Sequence, residues 1–178
     1  MNKPKKSNHP SLDTDAIRAA AKHVDDGAVT AGYQADRKEI VALLNGALAT
    51  ELVCVLRYKR HYYTATGLQN GPIKAEFLQH AVEEQAHADL LAARIVQLNG
   101  QPDFNPATLL ERSHAEYDDS GSIQAMIKSN LVAERIAIEA YRQMIETIGH
   151  TDPTTRQMLI GIMAMEEEHA DDMRDLLA

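Results

Sequence analysis

Four long stretches of this sequence read as amphipathic helices, and each carries an ionisable residue where its own apolar stripe calls for a core side chain. Residues three, four and seven apart share one helix face. By that rule Glu51 falls among Leu44, Ala47, Leu48, Val55 and Tyr58, and Glu134 among Ile127, Leu131, Ala137, Ile138 and Tyr141. Glu84 and His87, three apart, lie beside Phe77, Ala81, Ala88 and Leu91, while Glu166 and His169, also three apart, lie beside Leu159, Ile162, Met163 and Met173. A solvated charged stripe does not place aliphatic side chains on both flanks of every carboxylate, so all four glutamates are predicted to point inward. The order Glu, E-x-x-H, Glu, E-x-x-H is an internal repeat: 33 residues separate Glu51 from Glu84 and 32 separate Glu134 from Glu166. Tyr58 and Tyr141 each follow a lone glutamate by seven residues, which extends the repeat.

Start and stop signals bound the helices. The first runs from the N-cap Asp36 to Gly67, the second from Gly71-Pro72 to Asn99-Gly100, the third from Ser122 to Gly149, and the fourth from Asp152-Pro153 almost to Ala178. Residues 100–121 form a long connection with room for one short helix after Pro106, so the prediction is two tight antiparallel hairpins joined by a crossover. Residues 1–11 have the composition of a mobile tail, and a thin stripe from Leu12 to Asp26 predicts a short helix ended by Gly27. The expected organisation is a basic tail and short helix over 1–35 and an all-α four-helix bundle over 36–178. A 44% apolar, 4% aromatic composition favours helices over strands. Cys54 is the only cysteine, which excludes an internal disulfide framework and a cysteine-based zinc or iron centre. With no apolar run after the basic start, a cytoplasmic protein without a membrane anchor is expected. A net charge of −8 argues against a globally nucleic-acid-binding surface.

Four ionised carboxylates in one bundle core repel each other, and desolvating each costs on the order of several kcal/mol. Two divalent cations cancel the four charges, and two neutral imidazoles add nitrogen donors without altering that sum. The pattern therefore points to a dinuclear metal site held by Glu51, Glu84, His87, Glu134, Glu166 and His169. One histidine per metal with carboxylate bridges suits iron or manganese. Whether Glu84 and Glu166 or Glu51 and Glu134 bridge the ions is left open by the spacing.

These six residues resemble the ligand pattern of the ferritin-like di-iron carboxylate superfamily, and the symmetrical version is most similar to bacterioferritin, whose tyrosine one heptad after the first ligand matches Tyr58. The resemblance spans about residues 36–178. It implies a ferritin-like four-helix bundle, bridging roles for Glu84 and Glu166, two iron ions per subunit with manganese or zinc as substitutes, and ferroxidase activity with O2 or H2O2 as oxidant. Gln85 stands where bacterioferritins carry a haem-ligating methionine, so no haem is expected, and only nine residues follow His169, too few for a fifth helix. The resemblance thus shifts toward Dps-like miniferritins with a bacterioferritin-type site, and implies a homo-oligomer of 12 subunits that stores iron as mineral and protects against oxidative stress. Lys3, Lys5 and Lys6 resemble the lysine-bearing tails with which some Dps proteins hold DNA. The alternatives are a di-metal catalase or peroxidase without storage, and a DNA-binding Dps-type protein.

Other residues near the pattern carry weaker expectations. Tyr58 is a candidate hydrogen-bond donor to a ligand or an electron source, and Asn130 and His80, each four before a glutamate, are candidates to hydrogen-bond the ligand histidines or hold a relay iron. Glu83 is four before His87, but Met165 occupies the matching place in the other half, so symmetry selects Glu84. Glu167 and Glu168 are read as solvated, and Cys54, Met158, Met163, Met165 and Met173 as core filler.

Overall fold

The computed structural model describes residues 12–22 and 24–177; Lys3, Lys5, Lys6 and Ala178 lie outside them. The chain divides into two units, residues 1–33 and 34–178. In the first, helix α1 (Thr14–Ala20) begins where the Asp13 side chain accepts a hydrogen bond from Ala16 N at 3.0 Å. It ends well before Gly27, which takes φ +58 in a later turn, and none of its residues is buried.

In the second unit the described elements are α2 (Arg37–Thr64), a 3-10 turn (Leu68–Asn70), α3 (Gly71–Gln97), α4 (Leu109–Arg112), α5 (Ile123–Ile148) and α6 (Pro153–Asp175). The start signals act as read: Asp36 accepts from Lys38 N at 2.8 Å, Ser122 from Ala125 N at 3.2 Å, and Asp152 from Thr155 N at 2.9 Å with Pro153 next in the chain. The stops are less faithful. Helix α2 ends at Thr64, three residues before Gly67, which instead takes φ +105 at the mouth of the 3-10 turn. At the end of α3 it is Asn99, at φ +60, that adopts the left-handed conformation, and Gly100 N closes back on Ile95 O at 2.9 Å.

Helices α2 and α3 pack as one hairpin and α5 and α6 as another, with α2 against α5 and α3 against α6 closing the bundle. Glu51 meets Tyr141 while Tyr58 meets Glu134, a pairing that only antiparallel α2 and α5 produce. The crossover is fastened along α2. Asn45 donates to Gln101 O at 3.2 Å and accepts from Asp103 N at 2.8 Å, and Thr50 Oγ1 accepts from His114 N at 2.9 Å. Helix α4, the expected short helix beyond Pro106, sends Arg112 to Asn45 O at 3.3 Å. By length and composition α2 passes for a membrane span, with an 18-residue window of mean hydropathy 1.8. Its Glu51, Arg57 and His61 are nevertheless buried among the other helices. Of the four α6 methionines only Met173 is fully buried; Met158, Met163 and Met165 are half-buried.

One end of the bundle is clamped by charge. Arg94 of α3 donates to both carboxylate oxygens of Asp152 at 2.9 and 3.0 Å and to Thr155 Oγ1 at 2.8 Å, so the cap of α6 doubles as a tie to α3. Both partners are buried, and removing one leaves the other charge uncompensated. Arg94→Ala is expected to lower apparent stability by about 3 kcal/mol, read by chemical denaturation of the metal-free chain. A loss under about 1 kcal/mol, the range of an exposed pair, would show that the clamp carries no load.

Candidate metal centre

Glu51, Glu84, Glu134 and Glu166 lie close to the midpoints of α2, α3, α5 and α6, so the bundle brings them together at mid-height. All six residues of the repeated pattern converge there. They form two overlapping groups whose ligand atoms all lie within 4.8 Å of one another: Glu51, Glu84, His87 and Glu166 in one, Glu84, Glu134, Glu166 and His169 in the other. Glu84 and Glu166 belong to both. Each hairpin therefore contributes one shared glutamate, one unshared glutamate and one histidine, as the internal repeat requires.

The unshared glutamates are each held by a tyrosine from the opposite hairpin. Tyr141 of α5 donates to Glu51 Oε1, and Tyr58 of α2 donates to Glu134 Oε1. That leaves Oε2 of each turned inward, 3.5 Å from His87 Nδ1 for Glu51 and 4.0 Å from His169 Nδ1 for Glu134. The spacing of seven made both tyrosines visible in the sequence, but only Tyr58 was read there as a site residue. Tyr141 is its full equivalent.

Both histidines present Nδ1 to the shared carboxylates: His87 Nδ1 is 2.9 Å from Glu166 Oε1 and 3.3 Å from Glu84 Oε2, and His169 Nδ1 is 3.6 Å from Glu166 Oε2. On its far side His169 Nε2 meets Glu83 Oε2 at 3.0 Å, so Glu83 is an orienting partner of His169 rather than a rival to Glu84. His80 stacks on His169 with ring centroids 4.1 Å apart and places Nδ1 3.0 Å from the Tyr58 hydroxyl. Asn130 does not face the histidines of the pattern. It accepts from Arg57 Nε at 2.9 Å and lies 3.2 Å from His61 Nδ1. Cys54 packs with Ala115 and Ala133, and Arg57 Nη2 donates to its sulfur at 3.3 Å. Arg57 itself, 1% exposed, was not singled out in the sequence.

Five buried atoms aimed into this space have no well-aligned hydrogen bond, Glu166 Oε1 having only the His87 Nδ1 contact at 2.9 Å: Glu84 Oε1, Glu134 Oε2, both carboxylate oxygens of Glu166, and His169 Nδ1. Buried polar atoms are rarely left unpaired, and five at one place fit divalent cations held by carboxylate and imidazole. The protonation pattern has the same origin. Burial, then the charges of Glu166 and Glu84, pushes Glu51 well above the ordinary carboxylate range, and burial with Glu84 and Glu166 does the same to Glu134. Burial opposes ionisation of Glu84 as well, but the imidazoles of His169 and His87 beside it outweigh that and hold Glu84 below that range. Burial also disfavours charge on the imidazoles, yet the surrounding carboxylates, Glu166 foremost, raise His87 to about 12 and His169 to about 11. Burial raises Tyr58 and Tyr141 too, keeping both as phenols able to donate.

Comparison with known proteins places this geometry. A family model for the ferritin-like domain matches residues 41–178. A dodecameric thioferritin of Bacteroides fragilis, described as a bacterioferritin-related protein, superposes with a TM-score of 0.76 at 32% identity, covering 80% of this chain and 86% of that one. The nutrient stress-induced DNA-binding protein of a Synechococcus strain is 29% identical over 140 residues, 76% of this chain and 78% of its own. The bacterioferritin of Desulfovibrio desulfuricans is 26% identical over 141 residues, 78% of this chain and 75% of its own.

His87 and His169 hold a proton at neutral pH, and Glu51 and Glu134 bind theirs more tightly in the folded chain than at the ordinary carboxylate value. The stability they lend is present below the ordinary values and lost as pH rises toward the folded ones. The metal-free chain is therefore expected to show a falling thermal midpoint between about pH 7 and pH 9. Zn2+ filling the centre should release protons and flatten that slope, with affinity rising with pH. Calorimetry in buffers of different ionisation heat measures the release, and a midpoint independent of pH with no protons released would contradict this charge assignment.

Proposed function

The chain belongs to the ferritin-like domain family, and on that premise we propose that it is a ferroxidase that stores iron, with Fe2+ as substrate and Glu51, Glu84, His87, Glu134, Glu166 and His169 as the residues that hold it. The observation that carries this reading is the convergence of five buried donor atoms without a well-aligned hydrogen bond on the two overlapping groups. Membership of both groups suits Glu84 and Glu166 to bridging two ions, with Glu51 and His87 completing one position and Glu134 and His169 the other. Bound iron supplies two electrons per pair to an oxidant. With H2O2 the balance is two Fe2+, one H2O2 and two protons giving two Fe3+ and two waters.

The residues of the chain prepare that step. Four carboxylates around two cations stabilise Fe3+ over Fe2+ by charge, which lowers the potential and favours oxidation. Tyr58 and Tyr141 fix the rotamers of Glu134 and Glu51 from across the bundle, and Glu83 fixes the ring of His169. Protons displaced from the imidazoles and carboxylates as divalent ions enter offset the charge brought into the core.

Assembly into a cage of 12 subunits agrees with the dodecameric Bacteroides relative and with the outer surface of α3, where Leu78, Val82 and Leu90, spaced at helical intervals, are exposed. A cytoplasmic location belongs to the same proposal. The name of the Synechococcus relative supports DNA retention as a second reading, with Lys3, Lys5 and Lys6 as the candidate contacts, although the net charge of −8 works against it.

Aerobic addition of Fe2+ to the metal-free protein, with size-exclusion and light scattering on the same sample, tests the reading. Fast oxidation is expected to saturate at about two irons per chain, followed by retention of on the order of hundreds of irons in a particle of about 12 subunits. Glu51→Ala with Glu134→Ala should slow the fast phase by about 100-fold or more. Iron stopping at two per chain in a small oligomer would replace storage with a catalase or peroxidase reading.

A further inference from the structure

The crossover is tied to the bundle by a buried polar network that has no counterpart in the other half of the repeat. Arg57, His61 and Asn130 are each at most 1% exposed. Carried across by the 83 residues that separate Glu51 from Glu134, their places are taken by Ala140, Met144 and Ala47. The bundle packs those positions with apolar side chains on one side, so the polar set on the other serves something beyond packing. What it touches in addition is the crossover. Arg57 Nη1 donates to Glu116 O at 3.1 Å, and His61 Nε2, which makes no well-aligned hydrogen bond, lies 3.4 Å from Asp118 Oδ1.

Hydrogen bonds run one way through this network. A guanidinium always carries its hydrogens, so Arg57 Nε, 2.9 Å from Asn130, requires the amide oxygen there. The Asn130 nitrogen is thereby turned to His61 Nδ1 at 3.2 Å, which must accept, and the neutral ring keeps its hydrogen on Nε2, toward Asp118. A second proton has no acceptor to meet. On Nδ1 it faces the hydrogens of the Asn130 amide, and flipping that amide only moves the clash to Arg57. It also sets a second cation beside the buried Arg57, with Asp118, 34% exposed, as the carboxylate that faces the ring from the crossover. From α3 the ring meets Phe77, which brings no charge. Burial, then the charge of Arg57, accordingly holds His61 below the ordinary imidazole value of 6.5, against the pull of Asp118 and Asn130.

We propose that His61 is a proton-operated latch on the crossover: neutral, it keeps residues 115–118 seated on α2 and α5, and protonated, it lets that segment open. The crossover is the side that gives way, because α2, α3 and α5 close on the ring through packed side chains while Asp118 is open to solvent. Water entering there restores the ordinary basicity of the ring. A group held below its ordinary value lends stability that is full above that value and lost as pH falls beneath it, so acid favours the open segment. None of the six residues of the dinuclear centre takes part, and the latch stands apart from that reading.

Cys54 reports the opening, being the single cysteine of the chain and buried against Ala115 of the crossover. A pyridyl disulfide, which reacts with thiols in acid as well as at neutral pH, is added to the full native protein, and each rate is divided by that of the urea-unfolded chain at the same pH. Between about pH 7.5 and about pH 5.5 this ratio should rise by up to about tenfold, the factor by which an imidazole of ordinary pKa favours its protonated form at the lower pH. In Asn130→Asp a carboxylate accepts from both Arg57 and the protonated ring, and the rise should vanish. His61→Gln, which has no titrating group there, should be flat as well; if that variant does not fold, Asn130→Asp carries the test. Hydrogen exchange on the same samples should quicken in acid over residues 114–120 and not in α2 or α5. A flat ratio in the unaltered chain, a rise that survives in either folded variant, or exchange that quickens through the whole bundle overturns the latch.

Discussion

Mutual repulsion among four desolvated carboxylates is the constraint around which the bundle is organised. Each of Glu51, Glu84, Glu134 and Glu166 is at most 1% exposed, and burying such a charge alone costs on the order of several kcal/mol. The molecule meets that cost in two ways. Without metal, His87 and His169 hold protons and Glu51 and Glu134 are shifted toward their neutral forms. In the proposed metal-bound state, cations would take the place of those protons. Neither solution works unless the donors are held still, and the helices, which run roughly two and a half to four turns to either side of the centre, supply the rigid frame.

Polar side chains above and below the centre do the holding. Arg57 bridges Asn130, Cys54 and Glu116 O in a buried network between α2, α5 and the crossover, while Arg94 closes the other hairpin contact through Asp152 and Thr155. Each guanidinium spends its fork of donors on several partners, which suits arginine to sites where lysine would leave acceptors unpaired. These contacts tie α2 to α5 and α3 to α6 on opposite sides of the ligand set.

Much of this was legible in the residues. Periodicity named the six residues that converge at mid-bundle, and the caps at Asp36, Ser122 and Asp152 opened their helices as read. Periodicity assigns a side chain to a face but does not say what stands opposite. That is why the pairing of Tyr141 with Glu51 was missed, and why Glu83 was weighed as a substitute ligand instead of a support for His169. Asn130 was expected near the ligand histidines and met Arg57 instead, because no rule of spacing places a long cation from α2 in its path. Gly67 failed as a stop since α2 had already turned extended at Ala65, two residues earlier.

The cross-bracing of tyrosines has a consequence for how such a molecule could be divided. Glu51 relies on Tyr141 and Glu134 on Tyr58, so neither hairpin holds its own unshared glutamate in place. Yet the two hairpins repeat the same pattern of glutamates, histidine and tyrosine, and each offers the tyrosine that the other's glutamate needs. Two identical hairpins related by a dyad would present the same inventory of donors and the same braces. The centre is thus a property of pairing rather than of chain length, and its parts are interchangeable across an axis the sequence repeats but never crosses.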